Sequence, residues 1–317
     1  MNNITINPER TLTVLAEGKN PRGFIADRFL APVPSDTLTG YFGRVNSSYL
    51  NIVDTATKGN GQKNFTNYKM DRNANFEVGD HELSDLITAA EAEKAGGWDA
   101  AKRKINTLLA IQMKVAEEYS VANYVTTAGN LTAGTYDALT DGDRFDVSGS
   151  ELLLKVKYAK DQVAGNIGNE ANTGVIGRNV FSALQTHEQI YSVLGKAYKG
   201  DIGLVQENQM AIALGIDEVM VARAFHNSAN ENQDFSLEWT WGNNMIIYYK
   251  ADSSIAEMDP GLGGRVTCPK KIPTMSVGSY VPEGKEANQA QVLKHRKGYV
   301  NTFINMEAMY EYMTCVG

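Results

Sequence analysis

An α+β fold built around one long helix, with a two-stranded projection standing off it, is predicted by three features of the sequence. Apolar residues recur at helical spacing from about Trp98 to Val125. Ahead of that stretch, a polar, turn-rich segment from Thr37 to about Asp80 holds two strand-like runs around the tip "TKGNGQKN". Behind it, from Ser148 onward, helical and strand patterns alternate as in a mixed α/β domain.

The elements follow in chain order. "GFIADRFLAPVP", Gly23 to Pro34, is apolar but proline-punctuated; Pro32 and Pro34 fix their own φ and push Ala31 and Val33 towards extended backbone. It reads as a strap that needs a surface, on its own subunit or on a neighbour. "SSYLNIVD" and "NFTNYKM" form the two sides of a long finger, which an isolated hairpin could not sustain alone in water. "HELSDLITAAEAEKAGG" is predicted as a helix with Leu83, Leu86, Ile87 and Ala90 on one face, stopped by Gly96 and Gly97. The Trp98 helix then presents Ala101, Ile105, Leu108, Leu109, Val115, Ala116, Tyr119 and Ala122, a rod on the order of 40 Å long. Such a rod suits the spine of an elongated domain.

In the second half, Ser148 or Ser150 is expected to cap the helix "ELLLKVKYAKDQVA", Thr173–Gly177 to be a strand, and "RNVFSALQTHEQIYSVLG" to be a helix. "QENQMAIALG" is a helix ended by Gly215, and "EVMVA" a strand. "DFSLEWTW" and "NMIIYYKA" are expected to pair as a hairpin across Gly242 and Asn243. "GYVNTFINMEAMYEYM" is a closing strand that must pair with something earlier.

Composition excludes several classes. At 317 residues, 43% hydrophobic and 21% charged, the chain can bury one large or two medium cores. Cys268 and Cys315 are too few for a disulfide framework, which suits a reducing compartment. No secretory leader or membrane span is legible, the pattern of a soluble protein made in the cytoplasm. A net charge of -7 argues against a dedicated nucleic-acid binder, which needs a basic patch to neutralise phosphates.

The search for catalytic or ligand chemistry yields no site. None of His81, His187, His226 and His295 is spaced as a helical metal pair, and "HELSD" lacks the second histidine of HExxH. No GxSxG elbow is present, and none of the Gly-Lys pairs continues into Ser or Thr as a P-loop requires. "GNIGNEANTG" follows a helix and precedes a strand, the reverse of a dinucleotide loop. Trp239 and Trp241 are suited to stacking on a ligand or to anchoring a core. No catalytic residue, cofactor or metal is therefore expected.

Taken in order, "ADRFLAPVP", "GYFGRV" before a polar finger, "TGVIGRNVFSALQTHEQI", "LGIDEVMVARAFHNSANENQ", "WTWGNNMIIYYKA" and "KHRKGYVNTFINMEAMY" resemble the major capsid proteins of tailed bacteriophages with the Hong Kong 97 fold. The resemblance covers nearly the whole chain and rests on the order of loose patterns. It implies an N-terminal arm at 1–35, an extended loop at 36–82, a peripheral domain with the spine helix at 83–148, an axial domain at 149–287 and a C-terminal return to the peripheral domain at 288–317.

The function so implied is a non-enzymatic coat protein that assembles through hexamers and pentamers in the bacterial cytoplasm into an icosahedral virion shell around double-stranded DNA. Phe24, Ile25, Phe29, Leu30 and Val33 of the arm, and Arg44, Tyr49, Lys58, Lys63, Phe65 and Tyr68 of the loop, are the expected inter-subunit contacts. Expected partners are other copies, a portal, a separate scaffolding protein and decoration proteins, with the DNA enclosed without sequence-specific binding and no membrane involved. Two alternatives stand beside this: an encapsulin-like nanocompartment shell of the same fold, and an α/β enzyme with a pocket near Trp239.

Overall fold

The long helix forms over the predicted span, and it runs through two separate hydrophobic cores. The computed structural model describes residues 7–8, 10–17, 23–45, 70–197, 204–229, 233–251 and 261–317. The elements are β1 (Asn7–Pro8), α1 (Arg10–Glu17), α2 (Ala26–Phe29), β2 (Ala31–Pro34), β3 (Thr39–Val45), β4 (Met70–Glu77), β5 (Gly79–Thr88), α3 (Ala89–Ala95), α4 (Trp98–Val125), β6 (Tyr136–Ala138), α5 (Leu152–Ile167), β7 (Thr173–Gly177), α6 (Arg178–Leu184), α7 (Glu188–Ala197), α8 (Glu207–Leu214), β8 (Glu218–Ala222), β9 (Phe225–Asn227), β10 (Leu237–Trp239), β11 (Met245–Tyr248), β12 (Gly263–Thr267), β13 (Ser276–Tyr280), β14 (Ala290–Phe303) and β15 (Met309–Met313).

Two sheets carry the architecture. A six-stranded sheet runs β1-β13-β14-β12-β2, with β5 on β14 outside that path, and a five-stranded sheet runs β6-β15-β11-β7-β8. The five-stranded sheet and α5 to α8, which hold most of the segment expected to be axial, share a core that includes Val156, Ile176, Leu184, Met220 and Ile247. The six-stranded sheet packs beneath α1, α3 and the start of α4, around Leu12, Ile87, Leu109, Val277 and Leu293.

These sheets cut across the segment boundaries expected from sequence. β12 and β13, placed in the axial segment 149–287, belong to the six-stranded sheet; β6, placed in the peripheral segment, lies in the five-stranded one. The closing stretch divides at a short 3-10 turn, so that β14 joins the first sheet and β15 crosses back to pair with β11. Of the closing segment 288–317, β14 thus lies with the sheet beneath the start of α4, and β15 lies in the other sheet.

Four local expectations also change. "HELSDLIT" is strand β5, paired antiparallel to β14 from Gly79 to Thr88, and only Ala89–Ala95 is helical. Leu83 and Ile87 face the core in either conformation, because a spacing of four is a repeat of both the helix and the strand. Pairing with the long β14 decides for the strand. The "RNVFSALQTHEQIYSVLG" helix is broken into α6 and α7 around Gln185–His187. β10 pairs with β9 rather than with β11, which lies between β7 and β15. Neither Ser148 nor Ser150 caps α5, whose N-cap is Glu151 without a side-chain bond.

The α4 face also differs from the apolar reading. Ala101, Leu109, Ala110 and Met113 are buried, but further along the buried side holds Glu117, Glu118, Val121 and Val125, while Leu108, Ala116 and Tyr119 point outward. The two glutamates sit where α4 passes from one core to the other. Glu117 accepts from Lys297 Nζ at 2.7 Å and from Arg265 Nη1 at 3.2 Å, tying α4 to β14 and β12. Burial depresses the Lys297 pKa, with Glu117 opposing that effect. Asp27 of α2 joins the cluster through Arg265 and Lys114; burial raises its carboxyl, but the two cations prevail and hold it below its ordinary value.

Glu118 fastens the strap. Its carboxylate accepts from the backbone N–H of Ile25 at 3.0 Å and of Ala26 at 2.8 Å, and from Trp241 Nε1 at 2.6 Å. One side chain thereby caps α2 and anchors the turn before β11. Burial raises its pKa, and the donated hydrogen bonds oppose the shift. Glu118→Gln leaves three donors facing a single acceptor oxygen, so the subunit is expected to lose about 1–3 kcal/mol in urea unfolding of dissociated protein. An unchanged midpoint would show that these donors do not depend on the carboxylate.

Candidate assembly surfaces

The strap lies on its own subunit. Ile25, Phe29 and Leu30 are at most 3% exposed, and Val33 is buried against the sheet. Phe29 meets Trp241 edge-on at 5.4 Å and Tyr248 at 4.8 Å between ring centroids. Gly23 begins the strap at φ 92, and a Cβ there would stand 2.4 Å from Arg223 Cβ, so glycine alone lets the chain pass this close to the end of β8. The expectation that Ile25, Phe29, Leu30 and Val33 contact a neighbour is therefore corrected: side chains this covered have no area left to offer. Phe24 is half-buried.

The finger is visible at its stem. β3 pairs antiparallel with β4 from Thr39–Glu77 to Val45–Met70, with a register shift between Phe42 and Arg44 that bends the ribbon. Arg44 lies in this ladder opposite Asp71. Tyr49, Lys58, Lys63, Phe65 and Tyr68 lie outside the described residues. The stem rests on a small core of Phe76, Val78, Val266, Cys268 and Ile272, and Tyr41 beyond it is 69% exposed. Gly40 is packed under the Phe76 ring, where a Cβ would come within 2.6 Å.

A second apolar surface was not singled out from sequence. On the β9–β10 ribbon, Phe225 stacks on Trp239 at 3.6 Å, and Leu237 and the nearby Phe235 are exposed, the latter 72%. The alternation in "DFSLEW" was the available signal. It was read as one side of a hairpin with β11, which hid the fact that this ribbon stands alone.

The structure also places the groups considered for chemistry. His81 stacks on Tyr299, His226 lies against Tyr119, and His295 is enclosed in β14 without a hydrogen bond, its pKa pushed down to about 4 by burial. No group of three or more His, Cys, Asp or Glu able to hold a metal is found among the described residues. His187 Nε2 lies 2.9 Å from Ser150 Oγ, a contact with the shape of a nucleophile and its base. However, His187 Nδ1 accepts from the Gln189 N–H, so a neutral ring carries its proton on Nε2 and donates to the serine. That polarity fastens the loop before α5 to the α6–α7 junction and does not activate an alkoxide. Trp239 is half-exposed and stacked on Phe225, whereas Trp241 is buried and donates to Glu118.

No family model matches the chain. In sequence it is 21% identical over 245 residues to a protein named major capsid protein from Burkholderia phage BcepMu, a match spanning 70% of this chain and 76% of that one. In structure it overlays the crystal structure of a phage-related protein from Bordetella bronchiseptica RB50 with a TM-score of 0.70 over 98% of both chains, at 18% identity. A subunit from the capsid structure of cyanophage P-SCSP1u overlays with a TM-score of 0.53 over 90% of this chain and 86% of that one, at 12% identity. The chain has the Hong Kong 97 fold.

One buried group in the axial sheet of this Hong Kong 97 subunit bears on pH. Glu311 of β15 is fully buried, neither oxygen has a hydrogen-bond partner among the described residues, and burial pushes its carboxyl up to about 8. Tyr310 and Tyr312 on the opposite face meet α5 through Tyr158 and the Lys155 carbonyl, leaving Glu311 on the side of Cys315. The folded state holds this proton more tightly than the unfolded chain, so its contribution is full below the ordinary carboxyl range and is lost as pH rises towards 8. Glu311→Met is expected to stabilise the subunit, with a gain that grows from about pH 4.5 to about 8 and then levels off. Melting temperatures of both proteins across that range provide the check, and a gain that shrinks with pH would contradict the burial argument.

Proposed function

We propose that the chain is the major capsid protein of a tailed bacteriophage, self-assembling through hexamers and pentamers into the icosahedral shell around the double-stranded genome. The observation that carries this reading is the overlay along nearly the whole chain with a phage-related protein and a phage capsid structure, together with the sequence match to a phage major capsid protein. The role in this reading is structural, as the likeness to a phage major capsid protein suggests. A portal, a separate scaffold and decoration proteins are the partners this role calls for. The acidic chain encloses DNA without gripping its sequence.

The physical support lies in how the subunit distributes its apolar surface. A shell needs different patches that meet head to tail around fivefold and sixfold axes. The finger stem stands on a small core with Tyr41 uncovered, and the β9–β10 ribbon exposes Phe235 and Leu237. Many modest contacts of this kind act together in a closed shell and make it far firmer than any one of them.

Overexpressed protein is expected to form capsomers, tubes or shells visible by electron microscopy. A monomer near 34.7 kDa by light scattering at every salt and protein concentration would remove the shell reading. Replacing the segment from Arg44 to Met70 by a short turn is expected to leave a cooperative unfolding transition, since the residues of the three hydrophobic clusters lie outside that segment. The same deletion is expected to abolish closed particles, and particles of normal size from it would take the finger out of the assembly.

A further inference from the structure

Helix α6 separates two unlike flanks of the axial domain. On one side is a groove of about 600 Å³ lined by Arg178, Phe181, Leu204, Glu207 and Arg223. On the other is a hollow of about 330 Å³ lined by Asp146, Val147, Ala183, Thr186 and Glu188. At about 100° per residue, Ala183 lies more than about 140° around α6 from both Arg178 and Phe181, so the two concavities open on opposite faces of the helix.

Their charges are opposite. Arg178 has no acidic partner among the described residues, and Arg223 is exposed with Glu207 as its one ion pair there. Across α6, Asp146 and Glu188 are exposed and neither pairs with a cation among the described residues; Asp141 and Asp143 nearby are engaged by Arg144 and Lys155. Each flank also carries one uncovered aliphatic side chain, Leu204 at 76% exposure beside the arginines and Val147 beside the carboxylates. A subunit in a ring needs this arrangement, two different and mutually complementary patches on opposite sides of one body.

We propose that the Arg178–Arg223 flank of one copy receives the Asp146–Glu188 flank of the next copy around the capsomer axis, with Leu204 and Val147 at the centre of the contact. The occupant is a second copy of this chain, and the inference rests on the shell-forming reading. It assigns to the axial domain a contact independent of the strap and the finger.

Two reversals test it: a basic-flank variant carrying Arg178→Glu and Arg223→Glu, and an acidic-flank variant carrying Asp146→Arg and Glu188→Arg. Each alone is expected to keep its circular dichroism spectrum and lose at least tenfold in assembled fraction by light scattering. Mixed one to one, the variants complement each other when they alternate, which closes around a ring of six but not around a ring of five. Micrographs of the mixture are therefore expected to show hexamers, sheets or open tubes rather than closed shells, and all four changes in one chain are expected to restore closed shells. If a double variant does not fold, Arg178→Glu and Glu188→Arg take its place singly, with the same rescue on mixing. Reversals that assemble like wild type, or a mixture no better than its components, overturn the flank contact and leave the shell reading standing. A wild-type chain that never assembles removes both.

Discussion

Two adjacent glutamates on one helix hold the subunit's halves in register. α4 lends its first turns to the core beneath the six-stranded sheet and its last turns to the axial core, and Glu117 and Glu118 occupy the crossing. Neither would be tolerated there alone, since a buried carboxylate without partners costs several kcal/mol. Glu117 is matched by Lys297 and Arg265, delivered by β14 and β12 from far along the chain; Glu118 is matched by amide hydrogens of the strap and by the Trp241 indole. The crossing therefore forms only when spine, strap, both sheets and the Trp241 turn are all in place. That couples the two cores without joining them.

The same crossing explains what sequence could and could not convey. The limits of α4 were legible because Gly96 and Gly97 precede it and apolar spacing persists along it. Its buried face was not, because hydrophobicity cannot flag Glu117 and Glu118, whose burial depends on residues more than a hundred positions away. β7 and β8 were legible as short β-branched runs bounded by turns, and both sit inside the axial sheet. β5 was misread since Leu83 and Ile87 satisfy helix and strand periods alike, and the β9–β10 ribbon was misassigned because pairing between strands is a property of the whole sheet. The strap was legible as apolar and extended, but the surface it covers was not: that depends on a capping carboxylate in another element.

With the strap committed to its own subunit, the proposed shell would draw on other surfaces. The described candidates, the finger stem, the β9–β10 ribbon and the two flanks of α6, all stand on secondary structure whose interior side is already packed. Rigid carriers of this kind suit a shell in which one sequence must serve five- and sixfold rings, because small rotations between whole bodies absorb the difference without remodelling a core.

The strap's two prolines have an effect at the margin of the six-stranded sheet. β2 closes that sheet on one side, running parallel to β12. Ser35 donates to the Thr267 carbonyl at 2.7 Å, so by strand alternation Ala31 and Val33 turn their amides to β12 while Pro32 and Pro34 fall on the free side. That rim has carbonyls but no N–H to offer, and an incoming strand finds only half a ladder to pair with. Copies of this chain crowded together thus meet, along this border, a poor template for sheet growth.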